Sequence, residues 1–116
     1  MTLSINTGTT ADGGIVLTLD GEVDYATAPQ IREKISSLLR TENLTSIKVD
    51  VAKVTVLDST GIGTLVVAYR IARDMGIPVA VTNPTKFIKR LFAVVGAQEL
   101  LEEPTDAFVA TGGGNR

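Results

Sequence analysis

The stretch Val49–Tyr69, VDVAKVTVLDSTGIGTLVVAY, changes its hydrophobic period part-way along, and that change decides the fold. Ile47, Val49 and Val51 alternate with Lys48, Asp50 and Ala52, the two-residue period of a strand with one face less covered. Val54, Val56 and Leu57 lead on to a polar, glycine-containing segment, Asp58-Ser59-Thr60-Gly61-Ile62-Gly63. Beyond it Ile62, Leu65, Val66 and Tyr69 recur at helical spacing and are expected to face inward, with Arg70, Arg73 and Asp74 outside. Gly76 is the expected stop. A buried strand therefore delivers a short polar segment to the first turn of an apolar-faced helix.

Working toward the amino terminus, Ile31, Ile35, Leu38 and Leu39 form another helical stripe, with Arg32, Glu33 and Lys34 outside. Thr27 and Gln30 have capping-box spacing and Pro29 suits a first helical turn, while Asp24 is a competing cap one turn earlier. Before that, Leu3–Thr10 and Ile15–Asp20 flank the turn signal Asp12-Gly13-Gly14 and predict an antiparallel hairpin. Working toward the carboxyl terminus, Ile77–Val81 predicts a strand that Pro78 places near a sheet edge. Asn83-Pro84 predicts a cap and first helical position, with Phe87, Ile88, Leu91, Phe92 and Val95 inside and Gly96 as the stop. Leu100-Leu101 offers a further short strand and Pro104–Ala110 a terminal helix. The expected fold is α/β: one domain over residues 1–110, with a mixed sheet of four to five strands, about four helices and an opening β-hairpin. Residues 111–116 are expected to be a flexible tail.

Composition narrows the chemistry. The chain has 116 residues, enough for one compact domain. It contains no His and no Cys, which removes Ser-His-Asp and Cys-nucleophile catalysis, disulfides, and zinc or iron–sulfur sites. A general base would have to be a carboxylate or a lysine, so an autonomous enzyme is not expected, nor a cofactor or metal. The formal net charge of -2 gives no positive surplus for phosphate backbones, and 4% aromatics give no stacking platform, so nucleic acid is not an expected partner. Met1–Asn6 lacks the charged and apolar regions of a secretion signal, and no apolar run approaches a membrane span. The expected compartment is the cytoplasm. No Lys or Arg precedes Arg32, whereas Asp12, Asp20, Glu22 and Asp24 do, so the early loops form either an acidic rim for a basic partner or a merely solvated set. Lys86, Lys89 and Arg90 read as a solvated face.

The first turn of the helix after Leu57 offers unpaired N–H groups and the positive end of the helix dipole. Asp58, Ser59 or Thr60 can each cap it. Gly61 and Gly63 allow a partner surface or a phosphate to approach the backbone. Gly-x-Gly alone is neither a P-loop nor a dinucleotide fingerprint.

The string Val54–Gly63 resembles the signature of the STAS domain, as found in bacterial anti-sigma factor antagonists. That signature is a hydrophobic strand, Asp-Ser-Ser/Thr-Gly, a hydrophobic residue and Gly. Gly21-Glu22-Val23-Asp24 is similar to the family's segment before its first helix, and Phe87–Phe92 with Gly96 to its third-helix pattern. The blocks fall in the family's order over nearly the whole chain. The resemblance implies partner switching in stress-response or sporulation transcription. The partner would be an anti-sigma factor, a serine kinase with a histidine-kinase-like ATPase fold, which phosphorylates Ser59; Thr60 is the usually unmodified neighbour. The unmodified protein would bind that factor and free the sigma factor, and the phosphorylated form would let go. A metal-dependent serine/threonine phosphatase would restore it. Asp24, Asp58, Ser59, Thr60, Gly61, Ile62 and Gly63 are the implied partner-binding residues. Alternatives are a STAS module binding a small ligand such as a nucleotide, a scaffold or regulatory subunit of another signalling complex, and a receiver-like phosphoacceptor in which Asp58 forms an acyl phosphate.

Overall fold

The computed structural model describes residues 2–102. Strand β1 (Leu3–Thr9) pairs antiparallel with β2 (Ile15–Val23), forming the expected opening hairpin. Strands β3 (Ile47–Leu57) and β4 (Val79–Thr82) add in parallel, giving a four-stranded mixed sheet in the order β1-β2-β3-β4. Helices α1 (Ala28–Leu39), α2 (Ser59–Asp74) and α3 (Lys86–Val94) follow β2, β3 and β4. The two parallel crossovers step across the sheet in the same direction. Right-handed connections therefore put α1 and α2 side by side on one face. The core fills the space between that face and the helices: Leu17, Leu19, Val49, Val81, Ile31, Leu65 and Phe92 are all fully buried. Among the described residues on the opposite face, Ser4, Asn6, Asp20, Lys48 and Ala52 are exposed.

β2 and β3 do not run at equal length. From Ile15↔Ile47 to Val23↔Leu57, β2 uses 9 residues and β3 uses 11. Register shifts between Thr18 and Asp20 and between Gly21 and Glu22 absorb the excess. Each bulge resets which side chains face inward, so the buried positions pass from Val49 and Val51 to Val54 and Leu57, three apart instead of two. Gly21, at φ +125°, sits at the second irregularity, where a Cβ would fall 2.4 Å from the Thr2 carbonyl oxygen. Gly21-Glu22-Val23 is consequently strand, where the sequence pattern ends the strand at Asp20.

Several local expectations are corrected by tertiary context. The Thr27–Gln30 capping box does not form: Thr27 is the N-cap residue of α1, but its hydroxyl is used elsewhere in the preceding turn. On α2 the buried stripe is Ile62, Leu65, Ala68 and Ala72, while Val66 and Tyr69 are only half-buried, so the inward face is centred on the alanines. The cap of α3 is Thr85, whose hydroxyl accepts the Ile88 N–H at 3.2 Å, rather than Asn83. Asn83 instead takes φ +56° and turns the chain out of β4. The helix starts later than expected, so its inward face is Ile88 and Phe92 with Leu91 at the edge, and Phe87 and Val95 are exposed. Gly76 and Gly96 stop their helices at positive φ, as expected. Leu100-Leu101 does not form a strand: Gln98–Leu100 is a 3-10 turn and Leu101 makes a single parallel bridge to Val81. The expected terminal helix over 104–110 and the tail over 111–116 lie outside the described residues.

Candidate functional site

Helix α2 begins where β3 ends, and one carboxylate organises the junction. Asp58 adopts extended backbone (φ −102°, ψ 178°), and its Oδ1 accepts the Gly61 N–H at 2.8 Å. Of the three possible caps, Asp58 is the one used. Its Oδ2 accepts the Tyr25 N–H at 3.2 Å, and its own N–H donates to the Val23 carbonyl at 3.1 Å. Asp58 therefore caps α2 and ties it to the turn that follows β2. An acyl phosphate on Asp58 would have to form on an oxygen that already holds the Gly61 or the Tyr25 N–H.

The turn after β2 has its own internal frame. Asp24 Oδ1 accepts the N–H groups of Ala26 and Thr27, each at 3.0 Å. The Thr27 hydroxyl accepts the Asp24 N–H at 3.0 Å and donates to the Glu22 carbonyl at 2.8 Å. Asp24 is only 5% exposed, and its Oδ2 has no hydrogen-bond partner among the described residues. Asp24 thus shapes the surface from beneath. The residue this frame lifts into solvent is Tyr25, 74% exposed, which the sequence reading misses. The available signal is an aromatic that directly follows Gly-Glu-Val-Asp and belongs to no buried period.

The other expected residues separate by depth. Ser59 is the first residue of α2 and is exposed, and its hydroxyl has no hydrogen-bond partner among the described residues. Thr60 and Gly63 are exposed beside it; Gly61 and Ile62 are buried. A Cβ on Gly61 would lie 2.6 Å from Val23 Cγ1 and 3.0 Å from Leu57 Cδ1, so this glycine lets α2 pack against the ends of β2 and β3. Ser59 is therefore an exposed hydroxyl residue in the first turn of α2, at the positive end of the helix dipole and directly after the half-buried Asp58.

The early acidic residues do not form one rim. Asp12 precedes β2 and Ser59 follows β3, and because those strands are parallel, Asp12 lies at the opposite end of the sheet. Only Asp20 and Glu22, with buried Asp24, lie toward the Ser59 end. Lys86, Lys89 and Arg90 are all exposed on α3.

The family model of the STAS domain matches residues 6–111. The chain belongs to the STAS domain family. The STAS chain is 26% identical over 91 residues to the anti-sigma-B factor antagonist of Bacillus subtilis, covering 78% of this chain and 82% of that protein. It is 29% identical over 101 residues to the anti-sigma-B factor antagonist of Staphylococcus aureus, covering 87% and 92%. Its fold is that of the anti-sigma factor antagonist SpoIIAA in its unphosphorylated form, with a TM-score of 0.75 at 22% identity over 89% of this chain and 90% of that one. The phosphorylated form of Bacillus SpoIIAA superposes with a TM-score of 0.70, also at 22% identity, over 89% and 93%. No helix among the described residues is long and apolar enough to cross a membrane.

Proposed function

We propose that this STAS protein is an anti-sigma factor antagonist, a non-catalytic cytoplasmic switch whose grip on an anti-sigma factor is controlled by phosphorylation of Ser59. The observation that carries the reading is the exposed, unengaged Ser59 hydroxyl at the first position of α2. The names of the curated relatives supply the partner class, an anti-sigma factor. In the modification step the partner kinase transfers the γ-phosphoryl of ATP to Ser59 Oγ. ADP leaves, and the hydroxyl proton passes to a base on the kinase or to solvent.

A phosphate here adds about -1.5 to -2 charges. The N–H groups at the start of α2 and the helix dipole stabilise that charge in the free protein, so the fold keeps its shape. In a packed interface the same charge stands beside Asp58 and loses its water. A penalty of about 3 kcal/mol weakens association roughly a hundredfold. The alternative of phosphorylation at Asp58 is disfavoured because both of its oxygens hold backbone N–H groups.

The test is incubation with purified anti-sigma kinases of the source organism and ATP, followed by intact-mass measurement and site mapping. One phosphate is expected on Ser59, stable to acid and to hydroxylamine, and none on Ser59→Ala. Ser59→Ala should retain binding, Ser59→Asp should lose it, and a metal-dependent serine/threonine phosphatase should reverse the modification. Equal labelling of wild type and Ser59→Ala, or equal affinity of labelled and unlabelled protein, refutes the reading.

A further inference from the structure

Beside the Ser59 turn, α1 and α2 part to leave a groove of about 530 Å³ that begins at Thr60, the immediate neighbour of Ser59. Each helix lines it with residues at i, i+3, i+4 and i+7 spacing, so one continuous face of α1 and one of α2 form its walls. Its floor includes Ile35 and Ala68, and its α2 wall carries Val67 and Ile71, which are 53% and 50% exposed. Apolar walls left this open on a small domain mark an interaction site.

Gly63 supplies an independent observation. It lies inside α2, where glycine is the poorest helix former apart from proline, yet its φ is not positive and a Cβ there would meet nothing within 4 Å. Gly61, two residues earlier, is required by packing; Gly63 is not. Among the described residues nothing fills the space over Gly63, which leaves the groove open to a partner at that point. Arg32, contributed by α1, is the one charged residue on the lining among the described residues.

We propose that this groove is the second half of the partner surface. Resting on the reading above, it receives an apolar helix or loop of the same anti-sigma factor. A large aliphatic or aromatic side chain of that segment fills the space over Gly63, and a carboxylate flanking it reaches Arg32. Continuity with Ser59 through Thr60 makes the two halves one surface, so a phosphate at one edge works against an anchor already seated at the other.

The test measures the affinity of purified anti-sigma factors of the source organism for wild type, Gly63→Leu, Val67→Asp, Arg32→Glu and Ser59→Asp. Gly63→Leu should melt at or above the wild-type temperature, since it removes a helical glycine at a position where an added Cβ meets no atom within 4 Å. It should bind at least about thirtyfold more weakly, the loss of one buried anchor. Val67→Asp, an exposed position that leaves folding intact, should show the same loss. Arg32→Glu should weaken binding about fivefold to tenfold and be rescued by charge reversal of the partner's carboxylate. If Gly63→Leu and Val67→Asp bind like wild type while Ser59→Asp does not bind, the groove proposal is overturned and the Ser59 reading stands. If these two variants instead abolish a homodimer seen by sedimentation, or a small ligand carried by the purified protein, with partner affinity unchanged, the proposal is likewise overturned. If wild type binds none of the factors and Ser59 is never labelled, the Ser59 reading and the groove proposal fall together.

Discussion

Replacing each of the two glycines at the start of α2 by alanine should have clearly different effects on stability, although the residues are two apart in one helix. Alanine gains about 0.5–1 kcal/mol over glycine inside a helix, through a less floppy unfolded chain and better helix formation. At Gly63 nothing opposes the gain, because the added methyl group meets no atom within 4 Å. Gly63→Ala should therefore be stabilised by about that amount. At Gly61 the methyl carbon would fall 2.6 Å from Val23 Cγ1, 3.0 Å from Leu57 Cδ1 and 3.1 Å from the Val23 carbonyl oxygen. Carbon atoms rest about 3.5–4.0 Å apart, so roughly 1 Å must be opened between α2 and two buried side chains with little room to turn. Such overpacking costs about 1–3 kcal/mol, leaving Gly61→Ala between neutral and destabilised by about 2.5 kcal/mol. The gap between the two variants, about 1–3 kcal/mol, is the sharper quantity, because the helix-forming gain cancels between them. Urea titration with an unchanged slope measures it. Equal shifts in the same direction for the two variants would refute the account of why each glycine is there.

Three further outcomes are expected. Asp58→Ala removes the α2 cap and the bond to the Tyr25 N–H and should destabilise by about 1.5–2 kcal/mol in urea melts, whereas Asp58→Asn, which keeps a capping oxygen, should lose less than half of that; equal losses would show that charge, not the cap, matters. Phe92→Ala, at a fully buried position of α3, should destabilise by about 3–5 kcal/mol in urea titration followed by circular dichroism, and a loss below about 1 kcal/mol would contradict its place in the core. In the β1–β2 turn, the Thr10 hydroxyl, and then the Gly14 N–H, hold the Asp12 carboxyl below its ordinary value. Its small contribution is present above the unfolded-state pKa and lost as pH falls through the folded one, so Thr10→Val should raise the Asp12 midpoint in a carboxylate NMR titration; an unmoved midpoint removes the hydroxyl from the cause.

Much of this was readable in the chain because side-chain period and backbone geometry agree. The change of period at Asp58 places a strand–helix junction correctly, and the alternation Leu17–Leu19 against Ile47–Val51 places the buried face. What was not legible depends on partners distant in sequence. Thr27 has a capping-box sequence, but its hydroxyl is taken by Glu22 and Asp24. No local rule reveals that β3 carries two extra residues, since a bulge shows only against the neighbouring strand. At the site, sequence alone made Asp58, Ser59 and Thr60 equivalent caps. The contact from Asp58 to Tyr25, 33 residues away, distinguishes them and frees the serine. The same distance hides the exposure of Tyr25, which is set by a turn and not by a periodic pattern.

Because both crossover helices gather on one side of the sheet, Ser59 and the groove share that side, and the described residues leave the other sheet face open. The strand surface bearing Ser4, Asn6 and Ala52 turns its side chains away from both helices that frame the serine. A dye, a spin label or a tether fixed to that face stands clear of Ser59 and of the groove between the helices.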